Sequence, residues 1–396
     1  MSPHRPSRRD LTPAETKFYT FGSARDPFRL HSGGTLDSVT LAYETHGALN
    51  ADKSNVILVF HALSGSHHAR GFTPAVEGVG ERWTDECQVG WWDDFIGPGR
   101  ALNTDRFCVI CVNYLGGCYG STGPSSVNPR TGRPYGSDFP VTLIRDIVDS
   151  QVRLLDHLGI GKLHAVIGSS LGGLMCMSFA TRYPERVDTV IPVSTGLRTT
   201  ALQQIHNLEQ ALAIELDPCF KGGDYYGGPA PERGLALARI VAHKTYVSLE
   251  VMRDRAHQEK VLQTDRLTQY SLVAPIESYM VHHGGKFVKR FDANTYLRLI
   301  QAWQQFDLAR EAGAENLREV FERCRHQKYM VFSIDSDVSF YPDEQREIVG
   351  HLKRAGIRFR YVIVHSDKGH DSFLLEPDLF APHFIYSLEH PWSESR

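Results

Sequence analysis

No stretch of this chain is apolar for anything near the ~20 consecutive residues that a membrane-spanning helix requires. Charge of one sign is not in excess either: 43 Lys and Arg face 46 Asp and Glu, a formal net charge of −3. That balance offers no electrostatic footprint for nucleic acid or an anionic membrane surface. The N-terminus lacks the apolar core of a secretory signal, and no hydrophobic segment follows Arg8-Arg9 to make a twin-arginine signal. Residues 1–17 are therefore expected to form a disordered tail. The seven cysteines are odd in number and spread through apolar stretches. Cys108 and Cys111 form a Cys-x-x-Cys, but inside the strand pattern 107–112, where alternate residues face opposite sides. This spacing reads as core filling rather than a redox pair. A reduced, cytoplasmic protein is expected. His61, His67 and His68 have no Asp or Glu at ligand spacing in their loop, so they are read as structural or solvated, with no metal.

What is present is alternation. At 396 residues and 41% hydrophobic content, the chain can build one large core plus an insertion. An antiparallel opening covers Phe18 to His46. Val56 to Phe60 is a buried strand ending at His61, and Phe107 to Asn113 is the next. Ile144, Ile147, Val148, Leu155 and Leu158 recur at helical spacing, a crossover helix closed by Gly159. Thr189 to Val193 is another strand. Strand alternating with helix predicts an α/β fold, a mostly parallel sheet wrapped by helices. From about Gly196 to Glu311 the pattern turns helical, with a Gly-rich break at 221–231, and alternation resumes at Lys328. Residues 196–311 are thus read as a helical lid inserted between two core segments, 18–195 and 312–396.

The most informative stretch runs from Val166 to Gly173, Val-Ile-Gly-Ser-Ser-Leu-Gly-Gly. A buried apolar run, 163–167, feeds a Gly-x-Ser-x-Gly turn, and an apolar helix, 171–182, follows at once. Such a turn strains its middle residue between closely packed chain, so glycine is needed at 168 and 172 and Ser170 stands exposed at a helix N-terminus. A serine hydroxyl needs a base, and the base needs an orienting group. Past the strand at 328–332 lies Ser336-Asp337, and past the strand at 359–364 lies Lys368-Gly369-His370-Asp371. The order Ser170, Asp337, His370 fits a catalytic triad placed at the C-terminal ends of parallel strands, with Asp335 a close competitor for the acid. Backbone N–H groups of Leu171, after the nucleophile, and of Leu63, in the loop after the first central strand, are the candidate oxyanion donors. The glycine-rich loop 113–124 also ends a strand. It either approaches a ligand closely or is an ordinary tight loop; without a Walker lysine or a following helix it is not a P-loop.

These residues resemble the homoserine O-acyltransferases of methionine biosynthesis, within the α/β-hydrolase superfamily. The resemblance runs from about Phe18 to the C-terminus. It rests on His61-Ala62-Leu63-Ser64-Gly65, the Gly116-Gly117-Cys118 loop with Gly120-Ser121-Thr122-Gly123-Pro124, and Asn128-Pro129 through Tyr135-Gly136. It continues with Gly234-Leu235-Ala236-x-Ala238-Arg239, His243-x-Thr245-Tyr246, Phe306-Asp307-Leu308-Ala309 and Gly369-His370-Asp371. The resemblance implies the α/β-hydrolase fold with Ser170, Asp337 and His370 as the triad, and substrate contacts from Arg239, Tyr246 and Asp371. It also implies a homodimer through the lid, whose Leu235, Leu237, Ile240, Val241, Leu297, Leu299, Ile300 and Trp303 exceed what one cleft needs. The chain departs from the family around the nucleophile, with Ser169 and Leu171, and after the acid, with Val338-Ser339.

A zwitterionic amino acid needs a cation for its carboxylate and an anion for its ammonium; Arg239 and Asp371 suit these roles. Arg239 is otherwise a solvated helix residue paired with Glu232. The reading that follows is acetyl transfer from acetyl-CoA, a co-substrate with no bound cofactor, to L-homoserine through acyl-Ser170. A succinyl donor, a serine acceptor, hydrolysis of an ester or thioester, and a non-catalytic scaffold are the alternatives. The Gly116-Gly117-Cys118 loop looks more like the acetyl-type members, with no added basic residue there for a succinyl carboxylate.

Overall fold

The chain opens its main sheet with two antiparallel strands, β1 (Lys17–Phe21) and β2 (Val39–His46), Tyr19 lying opposite Leu41. Five strands with almost no exposed position follow: β3 (Val56–Phe60), β4 (Cys108–Val112), β5 (Leu163–Ser169), β6 (Val187–Val193) and β7 (Lys328–Ile334). Continuous apolar runs suit strands covered on both faces, as parallel strands between helices must be. The last strand, β8 (Arg358–Val364), is an edge and alternates less cleanly. The computed structural model, which describes residues 11–258, 269–390 and 392, orders the sheet β1-β2-β4-β3-β5-β6-β7-β8. All neighbours from β4 to β8 are parallel, and β2 joins β4 antiparallel.

One face of the sheet is covered by α1 (Ile144–His157), α2 (Leu171–Arg182) and α8 (Pro342–Ala355), and the other by α9 (Pro377–Glu389) with Trp92 and Phe95. Cys108 faces the first layer and Cys111 the second, so the Cys-x-x-Cys fills two separate cores. α1 stops at Gly159, whose φ of +68° is the left-handed turn expected there. α2 is buried along eleven of its twelve residues, because it lies directly behind the strand that carries the elbow.

Between β6 and β7, which pair directly, the chain makes the helical insertion. It contains α3 (Ala201–Glu215), α4 (Glu232–Tyr246), α5 (Leu249–Gln258), α6 (Pro275–Arg290) and α7 (Ala293–Gln304). Its two ends are stitched together: the Thr199 N–H donates to Phe306 O at 3.1 Å and the Leu308 N–H to Leu197 O at 2.9 Å. The insertion thus leaves and re-enters the core at one point.

Two expectations need correction. Residues 1–10 of the supposed tail lie outside the described residues, but 11–17 are ordered. The Ala14 N–H donates to Phe72 O at 3.0 Å, the Phe72 N–H to Thr12 O at 2.9 Å, and β1 begins at Lys17. These backbone bonds, invisible in local composition, tie the segment down. In the lid, Leu235, Leu299, Ile300 and Trp303 are buried within the protomer, and Ile240, Val241 and Leu297 are half-buried. They pack the helices onto one another and onto the core. Of the eight, Leu237 is the one turned outward, at 50% exposure; the outward apolar row is otherwise Leu202, Ile205, Leu208 and Leu212 of α3 with Leu216 at its C-cap. Among the described residues, no helix is long and apolar enough to cross a membrane.

Candidate active site

Ser170 sits between β5 and α2 with φ 58° and ψ −126°, a conformation that strains any residue with a side chain. The neighbours show why glycine flanks it. A Cβ on Gly168 would collide with the carbonyl of Gly172, and one on Gly172 with the carbonyls of Phe60 and His61. The elbow is held from behind: the Ser170 N–H donates to Val193 O at 3.0 Å, and Thr195 Oγ1 donates to Ser170 O at 3.0 Å.

His370 follows β8 and Asp337 follows β7. His370 Nδ1 donates to Asp337 Oδ2 at 2.7 Å, with both side chains almost completely buried. The other carboxylate oxygen, Oδ1, accepts from the N–H groups of Ser339 and Phe340 at 2.8 and 2.9 Å. Asp335, the competitor, instead binds His365 Nδ1 at 2.7 Å near the surface. Burial opposes a proton on His370, but the charge and hydrogen bond of Asp337 outweigh it and raise the imidazole above its ordinary value. Its Nε2 is buried with no hydrogen-bond partner among the described residues, leaving the basic atom unspent. His370 and Ser170 line one cavity of about 330 Å³.

The same cavity is lined by Leu63, Arg239, Tyr246 and Asp371. Leu63 is a central residue of the turn closed by Gly65 N–H to Ala62 O at 3.0 Å, so its own N–H is not used in closing it. Leu171 opens α2, and its N–H has no intrahelical acceptor. Arg239 and Tyr246 lie two turns apart on α4, as their spacing implies. The guanidinium sits 5.2 Å from the Tyr246 ring and 4.8 Å from that of Phe287, stacked between aromatics rather than paired with Glu232. Burial raises the carboxyl of Asp371, opposed by the charges of His370 and Arg239.

Other residues reach the cavity without having been expected. Arg290, at the end of α6, donates from Nη1 to Ser64 O at 3.0 Å and to Tyr119 OH at 3.1 Å. A basic residue is therefore present, supplied by the lid rather than by the glycine loop. That loop contributes only Tyr119; its glycines face protein, Gly123 packing on Gly117 and Gly120 on Ala42 and Phe18. His68 Nδ1 meets Glu44 of β2 at 2.9 Å, with His46 at 3.3 Å, so these histidines serve a buried carboxylate. Only the fold brings Glu44 beside them.

A family model described as the alpha/beta hydrolase fold matches residues 55–377. A homoserine O-acetyltransferase of Symbiobacterium thermophilum is 43% identical over 95% of this chain and 96% of its own. A homoserine O-succinyltransferase of Methylibium petroleiphilum is 44% identical over 88% of each. The chain belongs to the homoserine O-acyltransferases, within the α/β-hydrolase fold family. It is an acyltransferase by that membership. The crystal structure of homoserine O-acetyltransferase from Bacillus anthracis superposes with a TM-score of 0.85 at 27% identity, over 97% of this chain and all of that one.

Proposed function

We propose that this enzyme transfers an acetyl group from acetyl-CoA to the hydroxyl of L-homoserine through an acyl-Ser170 intermediate, giving O-acetyl-L-homoserine and CoA. One observation carries the reading: a buried Asp337–His370 pair opens, through an unspent Nε2, on the cavity that holds the strained Ser170. His370 Nε2 takes the Ser170 proton as Oγ attacks the thioester carbon. The N–H groups of Leu63 and Leu171 receive the oxyanion, and His370 returns the proton to the leaving thiolate. The acceptor then enters with its carboxylate on Arg239, beside Tyr246, and its ammonium on Asp371. Its hydroxyl gives its proton to His370 and attacks the acyl carbon, freeing Ser170. Water competes for the acyl-enzyme, so the lid must position the acceptor and limit water.

A homodimer through the exposed row of α3 completes the proposal. The cytoplasm suits a chain whose seven cysteines are all unpaired and five of them buried. A second reading, succinyl-CoA as donor, is supported by the Methylibium petroleiphilum relative. Product analysis separates the cases: purified enzyme is given acetyl-CoA or succinyl-CoA with L-homoserine or L-serine, and acyl-amino acid and free acid are measured. O-acetyl-L-homoserine as the main product supports the proposal. O-succinyl product moves it to the second reading, and free acid alone contradicts transfer.

A further inference from the structure

The lid touches the triad's acid through a short polar relay. The 337–341 loop wraps Asp337 Oδ1 with two N–H groups, and on its far side stands Gln203 of lid helix α3. Gln203 Nε2 donates to Ser339 O at 2.9 Å and lies 3.2 and 3.3 Å from the two carboxylate oxygens of Glu344. Glu344, in the first turn of α8, accepts from the Tyr341 N–H at 3.0 Å. Its carboxylate occupies the space where a Cβ on Gly196 would stand, so the loop leaving β6 is shaped around it. Gln203 and Glu344 are only 5% and 9% exposed. A second lid contact runs parallel: Trp303 of α7 stacks on Phe340 at 5.2 Å, and Phe340 lies 5.6 Å from the His370 ring. Neither Gln203 nor Glu344 lines the substrate cavity.

We propose that Gln203 and Glu344 are positioning residues, through which the lid's first helix splints the 337–341 loop and holds Asp337, and thus His370, in register with Ser170. This rests on the triad reading above. Simple packing between lid and core would be served better by an apolar pair, since a buried carboxyl costs free energy unless it is used. The charged groups facing Glu344 are Asp337 and His370; Arg198 on the neighbouring loop is paired with Glu347 at 2.9 Å. Burial pushes Glu344 up to about 7, and its charge is among those that raise His370.

Glu344→Gln keeps the shape and removes the charge. On active-site-titrated enzyme, kcat should fall roughly tenfold while both KM values stay within about twofold. The acid limb of kcat/KM should move to lower pH, because His370 loses a neighbouring anion. Gln203→Leu should lower kcat to a similar extent, and the double variant should cost less than the two single losses combined. Wild-type kcat in both variants, or an unmoved acid limb in Glu344→Gln, overturns the relay. Should Glu344→Gln fail to fold, Gln203→Leu decides alone: a loss confined to kcat supports the relay, and an unchanged kcat or a loss confined to KM overturns it. Ser170→Ala is the control. Turnover surviving in it refutes the triad reading itself, whereas an inert Ser170→Ala beside unaffected relay variants refutes the relay only.

Discussion

At the scale of single residues, the proposed mechanism separates groups that do chemistry from groups that choose the substrate. Ser170→Ala and His370→Ala should each abolish turnover with little change in melting temperature, and the double variant should lose little more than either alone, because the two act as a unit. Steady-state rates on purified variants check this. Asp337→Asn should cripple the enzyme and Asp335→Asn should not, since only Asp337 reaches His370. The base must be neutral to accept the serine proton. Because Asp337 raises His370 above 6.5, kcat/KM should rise with pH through a limb lying above that value. Arg239→Ala should weaken homoserine use by on the order of 1.5–3 kcal/mol, roughly ten- to a hundredfold or more in kcat/KM, while the acylation burst with acetyl-CoA stays nearly unchanged. Arg239→Lys should recover only part of the loss, because an ammonium cannot reproduce the guanidinium fork. An equal loss in the burst would place Arg239 with the acyl donor or the fold instead.

At the scale of elements, the parts legible in sequence were those built from neighbours along the chain. The elbow is a strand, a turn and a helix within about twenty residues, and its glycines are dictated by backbone contacts that any such turn must make. Ser170, Asp337 and His370 were picked out by order, because each follows a parallel strand with a distinctive apolar pattern; the structure joins His370 to Asp337 and sets His370 and Ser170 on one cavity. Contacts across the fold were not legible. The buried partner of His46, His67 and His68 is Glu44, and it comes from a strand read only as antiparallel opening. That cluster should make stability pH-dependent. Burial opposes ionisation of Glu44, but hydrogen bonds from His46 and His68 hold it down to about 2, and burial holds His67 down to about 4. Both folded values lie below the ordinary 4.5 and 6.5, so the unfolded chain binds protons first as pH falls. The stability these groups provide is complete above about 6.5. It is lost through His67 towards pH 4 and through Glu44 from there towards pH 2. Urea unfolding at pH 7, 5 and 4 should show this decline, and Glu44→Gln should be less stable at pH 7 with a shallower dependence.

At the scale of the whole molecule, the insertion does more than cover a cleft. It supplies Arg239, Tyr246 and Arg290 to the cavity and turns an exposed apolar row on α3 outwards. Its outward face was not legible in the sequence, because helical periodicity marks an apolar side without saying what covers it. If α3 forms a dimer, light scattering at micromolar concentration should give twice the chain mass, and Ile205→Glu with Leu212→Glu should give a monomer; a monomeric wild type would refute that interface. In the proposed reaction Ser170 carries the acyl group between the two substrates. Its most direct test is rapid mixing of enzyme with acetyl-CoA in the absence of acceptor, followed by mass analysis. The expected result is a burst of CoA equal to the enzyme present and one acetyl group on the peptide containing Ser170, discharged as O-acetyl-L-homoserine when homoserine is added. CoA release that requires homoserine from the first turnover, with Ser170 never modified, would contradict it.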